Sequence, residues 1–279
     1  FGFLFVMKLK VNNIIKYQLS SPVPYGLQRL RLWPRQPLGN KNSWSIQCVG
    51  AQKQVTYKDH HENQCTLITF LPQVTEVTIK IIGTIKTHKN YKRKINYKEK
   101  CPVWLYQNQT DLTTAGRLIK DFCRLWLNSD SPKISICKEI ANAIKNEMRF
   151  DIGQTNVATT AEEAFKIKMG VCQDFAHIFL ACMRYLKIPA RYVSGYLKME
   201  NIKVQDATHA WTEVFLKDLG WVGFDIANNI DIDDKYIALA MGFDYRDTNP
   251  VDGFQYNSIN ERVVNKIKIL QQSNRSNSQ

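Results

Sequence analysis

The sequence predicts an α+β fold, in which an antiparallel β-sandwich precedes a core of helices packed on an antiparallel sheet. Residues 1–100 show the two-residue period of strands, whereas helical periods followed by further strands appear only after residue 101. The charge divides in the same way: residues 1–100 hold 17 Lys and Arg against 4 Asp and Glu, and the remainder holds 21 of each. This asymmetry indicates a basic domain at 1–100 and a second domain at 101–270. Residues 271–279 are polar and are expected to be a disordered tail.

The strands of the first region are read from alternation. Val77, Ile79 and Ile81 alternate with polar residues, as in a half-buried strand, and 67–71 is a second strand ended by a proline. His60 and His61 lie in the hairpin connection before that second strand. A histidine pair in a turn, with no further ligand in register, favours a surface turn over a metal site. We expect no bound metal.

Helices and then strands follow in the second region. Isoleucines recur every four residues after Pro132, and Thr160 with Glu163 has the form of a capping box. The predicted helices are 114–127, a second after 132, a short third after 160, and a fourth over 172–187. The predicted strands are 191–197, 208–216, 221–225 and 236–241.

The excess positive charge leaves two interpretations open. It is either a solvated basic surface or a docking surface for an acidic peptide or polymer. Its densest stretch, 86–100, follows a strand pattern and is most simply a long hairpin or a sheet edge. No nucleic-acid-binding pattern accompanies it, so we expect no nucleic-acid partner.

The cysteines and the apolar runs indicate the compartment. Seven cysteines without a C-x-x-C pair predict neither a disulfide framework nor a zinc site. No apolar run approaches the ~18 residues that a membrane span needs. We therefore expect a soluble cytoplasmic protein that does not bind a membrane.

One cysteine stands apart from the others. Cys172 begins the apolar stripe of the fourth helix, in its first turn. Free backbone N–H groups and the positive end of the helix dipole stabilise a thiolate there. Position alone leaves two alternatives, a nucleophile and one more core thiol.

A nucleophilic thiolate needs a base. Three of the five histidines belong to the basic region, and His177 lies on the helix of Cys172 but points elsewhere. That leaves His209, on a strand joined by a short turn to the strand that ends in Asp225. In such a hairpin Asp225 returns close to His209 and can fix the tautomer of the imidazole.

Three segments together resemble the catalytic-core motifs of bacterial transglutaminase-like proteins: GVCQDFA at 170–176, ATHAW at 207–211 and GWVGFD at 220–225. The order and spacing of the motifs are also similar. Segments 17–23 and 28–35 resemble the N-terminal β domain of this family, and 242–247 resembles the segment after the core.

This resemblance implies a papain-like transglutaminase core. It further implies Cys172 as nucleophile, His209 as general base and acid, and Asp225 as the residue that orients His209. The expected activity is thiol-dependent acyl transfer on peptide or amide bonds, with hydrolysis of a peptide or protein substrate favoured over transfer to an amine. The alternatives are a transglutaminase and a non-catalytic binding module for an acidic partner. We expect no cofactor, and the acidic segment 231–234 lacks the glycine and the terminal glutamate of a calcium loop.

Overall fold

The computed structural model describes residues 6–35, 43–88, 100–200, 202–256 and 261–272. Antiparallel sheets and packed helices make up these residues, and the predicted α+β class is confirmed. Among the described residues, no helix has both the length and the apolar character needed to cross a membrane.

The described residues of the N-terminal region, 6–35 and 43–88, form six strands. In chain order they are β1 (Val6–Val23), β2 (Gly26–Leu30), β3 (Ser43–Val49), β4 (Ala51–Lys58), β5 (Gln64–Phe70) and β6 (Val74–His88). The alternating Val77, Ile79 and Ile81 of β6 are fully buried, as their period predicts.

Five α-helices and seven strands follow in the part of the chain that the structure describes between residues 100 and 250. The helices are α1 (Arg117–Cys123), α2 (Lys133–Glu147), α3 (Ala161–Ile167), α4 (Cys172–Tyr185) and α5 (Tyr245–Thr248). The strands are β7 (Arg149–Phe150), β8 (Met169–Gly170), β9 (Ala190–Leu197), β10 (His209–Leu216), β11 (Gly220–Asp225), β12 (Ile230–Asp231) and β13 (Tyr236–Gly242). Two further strands follow, β14 (Val251–Gln255) and β15 (Glu261–Gln271).

Both ends of the chain build the two N-terminal sheets. Their strand orders are β15-β1-β6-β3 and β14-β2-β5-β4, so each sheet takes one C-terminal strand at its edge. Side chains from both sheets share one hydrophobic core, which includes Leu9, Val11, Ile79, Leu30, Ile68 and Phe70. Strands β14 and β15, which lie in the predicted second domain except for Gln271, therefore pair with strands of the first. The division near residue 100 stays a prediction.

The predicted tail, 271–279, overlaps the last residue of β15. Gln271 ends β15 and pairs with Leu9 of β1, so it is ordered by backbone hydrogen bonding rather than part of a disordered tail. Residues 273–279, and the basic stretch 89–99 with its predicted hairpin, lie outside the described residues.

The second core surrounds α4. Its sheet has the order β12-β11-β10-β9-β13, and buried residues of α4 such as Phe175, Phe179 and Met183 share a hydrophobic cluster with residues of this sheet and of α1, α2 and α3. The predicted capping box starts α3, since Thr160 Oγ1 accepts from the Glu163 N–H at 3.3 Å and Glu163 Oε2 accepts from the Thr160 N–H at 2.8 Å. The core sheet and helices together fix the beginning of α4.

The histidine pair lies in the predicted connection between β4 and β5, but the expected surface turn is wrong for His61. His61 is only 3% exposed. The turn is held against β13, because Asn63 Nδ2 donates to the Met241 carbonyl at 2.8 Å and the Met241 N–H donates to Asn63 Oδ1 at 2.9 Å. This long-range docking is what buries the imidazole.

Candidate active site

The buried carboxylate of Asp174 holds the backbone at the start of α4. Asp174 Oδ2 accepts from the Val171 N–H and from Thr155 Oγ1, both at 2.7 Å. Burial raises the pKa of Asp174, although these hydrogen bonds oppose the rise. Asp174 thus fixes the residue just before Cys172, whose thiol is half-buried at the first position of the helix.

Gly170 leaves room for the Asp174 side chain. It lies in β8, which pairs in parallel with β7, and it has no positive φ. A Cβ at this position would lie 2.5 Å from Asp174 Oδ2. The glycine is needed because the Asp174 side chain packs directly against the backbone.

His209 and Asp225 meet through the predicted hairpin. β10 and β11 pair antiparallel with Thr212 opposite Phe224, which places Asp225 diagonally across from His209. His209 Nε2 lies 2.6 Å from Asp225 Oδ2. The distance lies at the short end of the ~2.6–3.2 Å that a hydrogen bond at a catalytic histidine spans.

Two further side chains hold the Asp225 carboxylate. Asn228 donates its backbone N–H to Oδ1 at 3.0 Å and its Nδ2 to Oδ2 at 2.8 Å. The Tyr236 hydroxyl donates to Oδ2 at 2.7 Å. Burial pushes the pKa of Asp225 upward, but the hydrogen bonds from His209, Asn228 and Tyr236 outweigh it, and the pKa is lowered.

Cys172 completes the cluster. Burial disfavours the charged imidazolium, but hydrogen bonding to Asp225 and to the Cys172 side chain prevails and raises the pKa of His209 to about 10. Because Nε2 faces Asp225, the ring has Nδ1 left for the thiol. The three residues that the sequence singled out therefore lie together, ordered as thiol, imidazole and carboxylate.

Aromatic residues shield the imidazole. The ring centroids of Trp211 and Tyr236 lie 6.3 Å and 6.2 Å from that of His209, which is 6% exposed. A dry environment of this kind strengthens the electrostatic coupling between the imidazole and the carboxylate.

His177 lies outside this cluster, as predicted. It is fully buried, and its Nε2 accepts from the Tyr245 N–H at 3.2 Å, which ties α4 to α5. Burial lowers its pKa to about 3, so the ring is neutral. His177 is therefore a structural residue of the core.

Asn228, Tyr236 and Asp174 are the site residues that sequence reasoning missed. Asn228 and Asp174 had a local signal, since an Asp side chain readily accepts from backbone N–H groups of nearby residues, and an acidic residue in a first helical turn is a capping signal. Tyr236 had no local sequence signal, because it contacts Asp225 from another strand.

The arrangement can perform nucleophilic chemistry. A thiol at a helix N-terminus, beside an imidazole that a buried carboxylate orients, is the geometry of an activated cysteine. The Cys172 backbone N–H precedes the first intrahelical bond and so has no acceptor within α4.

Comparison with known proteins agrees with this geometry. Residues 122–226 match the core of the transglutaminase-like superfamily, and residues 9–86 match the bacterial transglutaminase-like N-terminal region. The chain belongs to the bacterial transglutaminase-like proteins. A crystal structure from Cytophaga hutchinsonii, named as a candidate cysteine protease, has the same fold, with a TM-score of 0.77 and 18% identity over 96% of this chain and 92% of that chain.

Mycobacterial relatives of this transglutaminase-like protein are more similar in sequence. An uncharacterised protein of Mycobacterium tuberculosis is 32% identical over 143 residues, which are 48% of this chain and 46% of that protein. One of Mycobacterium leprae is 36% identical over 114 residues, 39% of this chain and 40% of that protein. The chain thus matches less than half the length of these relatives.

Proposed function

We propose that this transglutaminase-like protein is a cysteine peptidase or amidase, which cleaves peptide or amide bonds through a thioester on Cys172. The observation that carries the proposal is the contact of Cys172, at the start of α4, with an imidazole hydrogen-bonded at 2.6 Å to a buried carboxylate. The superfamily's association with thiol-dependent acyl chemistry supports the same assignment.

The first half-reaction forms the acyl-enzyme. The Cys172 thiolate attacks the substrate carbonyl carbon, a C–S bond forms, and the carbonyl oxygen becomes an oxyanion. The backbone N–H of Cys172 is placed to donate to that oxyanion. The His209 imidazolium then gives its proton to the leaving nitrogen as the C–N bond breaks, which releases an amine and leaves a thioester.

The second half-reaction regenerates the free enzyme by hydrolysis of the thioester. Neutral His209 removes a proton from water, the oxygen attacks the thioester carbon, and the C–S bond breaks to release a carboxylic acid. The thiolate and the imidazolium are restored together. Asp225 keeps the imidazole oriented and stabilises its charged form in both halves.

The second candidate is transfer of the acyl group to an amine in place of water. The same thioester serves both outcomes, and the difference lies in how the cleft excludes water and admits an acceptor. We favour hydrolysis, in keeping with the protease-like fold of the Cytophaga protein.

The test is product analysis with a peptide library in the presence and absence of a primary amine. Hydrolysis predicts new carboxyl termini or deamidated side chains in both conditions, and no product from the Cys172→Ala variant. Amine adducts formed at the expense of hydrolysis would establish the transferase. Equal turnover by Cys172→Ala would overturn both.

A further inference from the structure

The turn between β4 and β5 holds two imidazoles against a carboxylate of α5, away from Cys172. One ligand atom each from His60, His61 and Asp247 lies within 4.8 Å of the others. The His61 side chain is completely buried, that of Asp247 is 29% exposed, and His60 lies at the surface. The cluster is therefore buried at His61 and reaches solvent at His60.

The buried imidazole directs a nitrogen at the carboxylate without bonding to it. His61 Nε2 lies 3.4 Å from Asp247 Oδ2 and has no hydrogen-bond partner among the described residues. A direct hydrogen bond to a carboxylate would measure about 2.7–2.9 Å. Two ligands of one tetrahedral zinc ion, each ~2.0–2.1 Å from the metal, lie about 3.3 Å apart. The observed separation therefore suits a shared cation better than a direct bond.

The other ring nitrogen of His61 is already held. Its Nδ1 lies 2.8 Å from the Tyr106 hydroxyl oxygen. Histidines that bind metals characteristically donate their second N–H to such a partner, which leaves the lone pair of the first nitrogen for the ion. With Nδ1 as the donor to Tyr106, the Nε2 lone pair of His61 faces Asp247.

The backbone around this cluster is fixed. Arg35 Nη1 donates to the His61 carbonyl at 2.9 Å, and Asn63 bonds to β13. Asp247 Oδ2 also accepts from the Phe243 N–H at 2.9 Å. Two of the three ligands are thus positioned in advance, and the ring centroid of the exposed His60 lies 4.0 Å from that of His61.

We propose that His60, His61 and Asp247 bind a divalent transition-metal cation of the zinc class. Two imidazoles and one carboxylate suit zinc and its first-row neighbours, whereas magnesium and calcium require oxygen ligands. The fourth position is open to water on the side of His60. The bound ion joins the β4–β5 turn to α5, and so ties the N-terminal sheets to the core that carries Cys172.

The test is metal binding by the Cys172→Ala chain, which removes the Cys172 thiol as a competing ligand. After treatment with chelator and dialysis, Co²⁺ and Zn²⁺ are titrated by absorbance and calorimetry. We expect one ion per chain, a Co²⁺ spectrum without sulfur charge transfer, and a higher Tm on binding. His60→Ala and Asp247→Asn should each weaken binding at least about tenfold.

The matched control is Asp111→Asn, which removes an exposed carboxylate bonded to Arg246 of the same helix α5. It should bind metal like the parent chain. His60→Ala keeps the test decisive if Asp247→Asn fails to fold, because His60 is exposed. Absence of binding, binding unchanged by His60→Ala, or a thiolate spectrum would overturn the proposal and leave a Tyr106–His61–Asp247 contact of structural importance only.

Discussion

The Tyr236 hydroxyl and the Nε2 of His209 meet on one oxygen, Oδ2 of Asp225, at 2.7 Å and 2.6 Å. Tyr236 begins β13 and His209 begins β10, so two strands of the core sheet fix the same carboxylate. The orientation of the imidazole depends on this arrangement, since a carboxylate held from two directions cannot rotate away from the ring.

We therefore expect Tyr236→Phe to lower kcat more than it changes KM. The variant removes a hydrogen bond to a charged group, an interaction of about 1.5–3 kcal/mol, which corresponds to roughly tenfold or more in kcat. Tyr185→Phe, near the far end of α4, is the matched control and should retain full activity. Steady-state kinetics on a cleaved peptide measures both, and an unchanged kcat in Tyr236→Phe would contradict the positioning role.

The raised pKa of His209 sets the upper end of the pH range in which we expect the protein to be active. The proposed reaction needs the imidazolium as acid, so kcat/KM should fall as the pH rises through about 10. The same group stabilises the fold fully below its unfolded pKa, near 6.5, and this contribution is lost as the pH rises through about 10. Rate profiles and thermal denaturation across this window measure both effects.

We expect Asp225→Asn to lower the pH above which kcat/KM falls. Without the carboxylate, the pKa of His209 is no longer raised by its strongest favourable partner, so the alkaline fall in kcat/KM occurs at lower pH. The neutral amide also lets the ring adopt the wrong tautomer, which lowers kcat at every pH. An alkaline limb at the parental pH would show that Asp225 does not control His209.

Cys172 should react fastest of the seven cysteines with iodoacetamide at mildly acidic pH. Cys65, Cys123, Cys137 and Cys182 are fully buried, and burial raises the pKa of Cys65 to about 11 and that of Cys137 to about 12. Only Cys172 combines a helix N-terminus with a contact to an imidazole. Peptide mapping after brief labelling gives the order, and equal labelling of the half-buried Cys48 or Cys101 would contradict it.

Gly170→Ala should destabilise the protein by about 1–3 kcal/mol, a cost typical of inserting a methyl group into a filled space. The added Cβ would lie 2.5 Å from Asp174 Oδ2 and would displace the carboxylate that caps α4. Denaturant unfolding measures the loss. A variant of parental stability would mean that Asp174 can move without consequence.

Local sequence patterns predicted most helices and strands of the core and the three residues that meet at the candidate active site. Thr160 and Glu163 form a capping box that predicts the start of α3. Cys172, His209 and Asp225 belong to short motifs whose spacing is typical of a helix followed by a hairpin. The alternation of β6 is likewise readable because a half-buried strand repeats every two residues.

Contacts between distant segments could not be read from the sequence. The pairing of β15 with β1 depends on edges that carry no local signal, and Tyr236 reaches Asp225 across the sheet. His61 looked like a surface residue because nothing near it in sequence reveals Asn63 docking on Met241, or Asp247 beside its ring.

The most direct test of the proposed chemistry is intact-mass spectrometry of the protein after rapid acid quench of its reaction with a peptide library. We expect an acyl adduct that maps to Cys172 and is absent from Cys172→Ala. Water or an added amine should remove the acyl group from the thiol. His209→Ala should form the adduct far more slowly. An adduct on another residue, or turnover without any adduct on Cys172, would contradict the account.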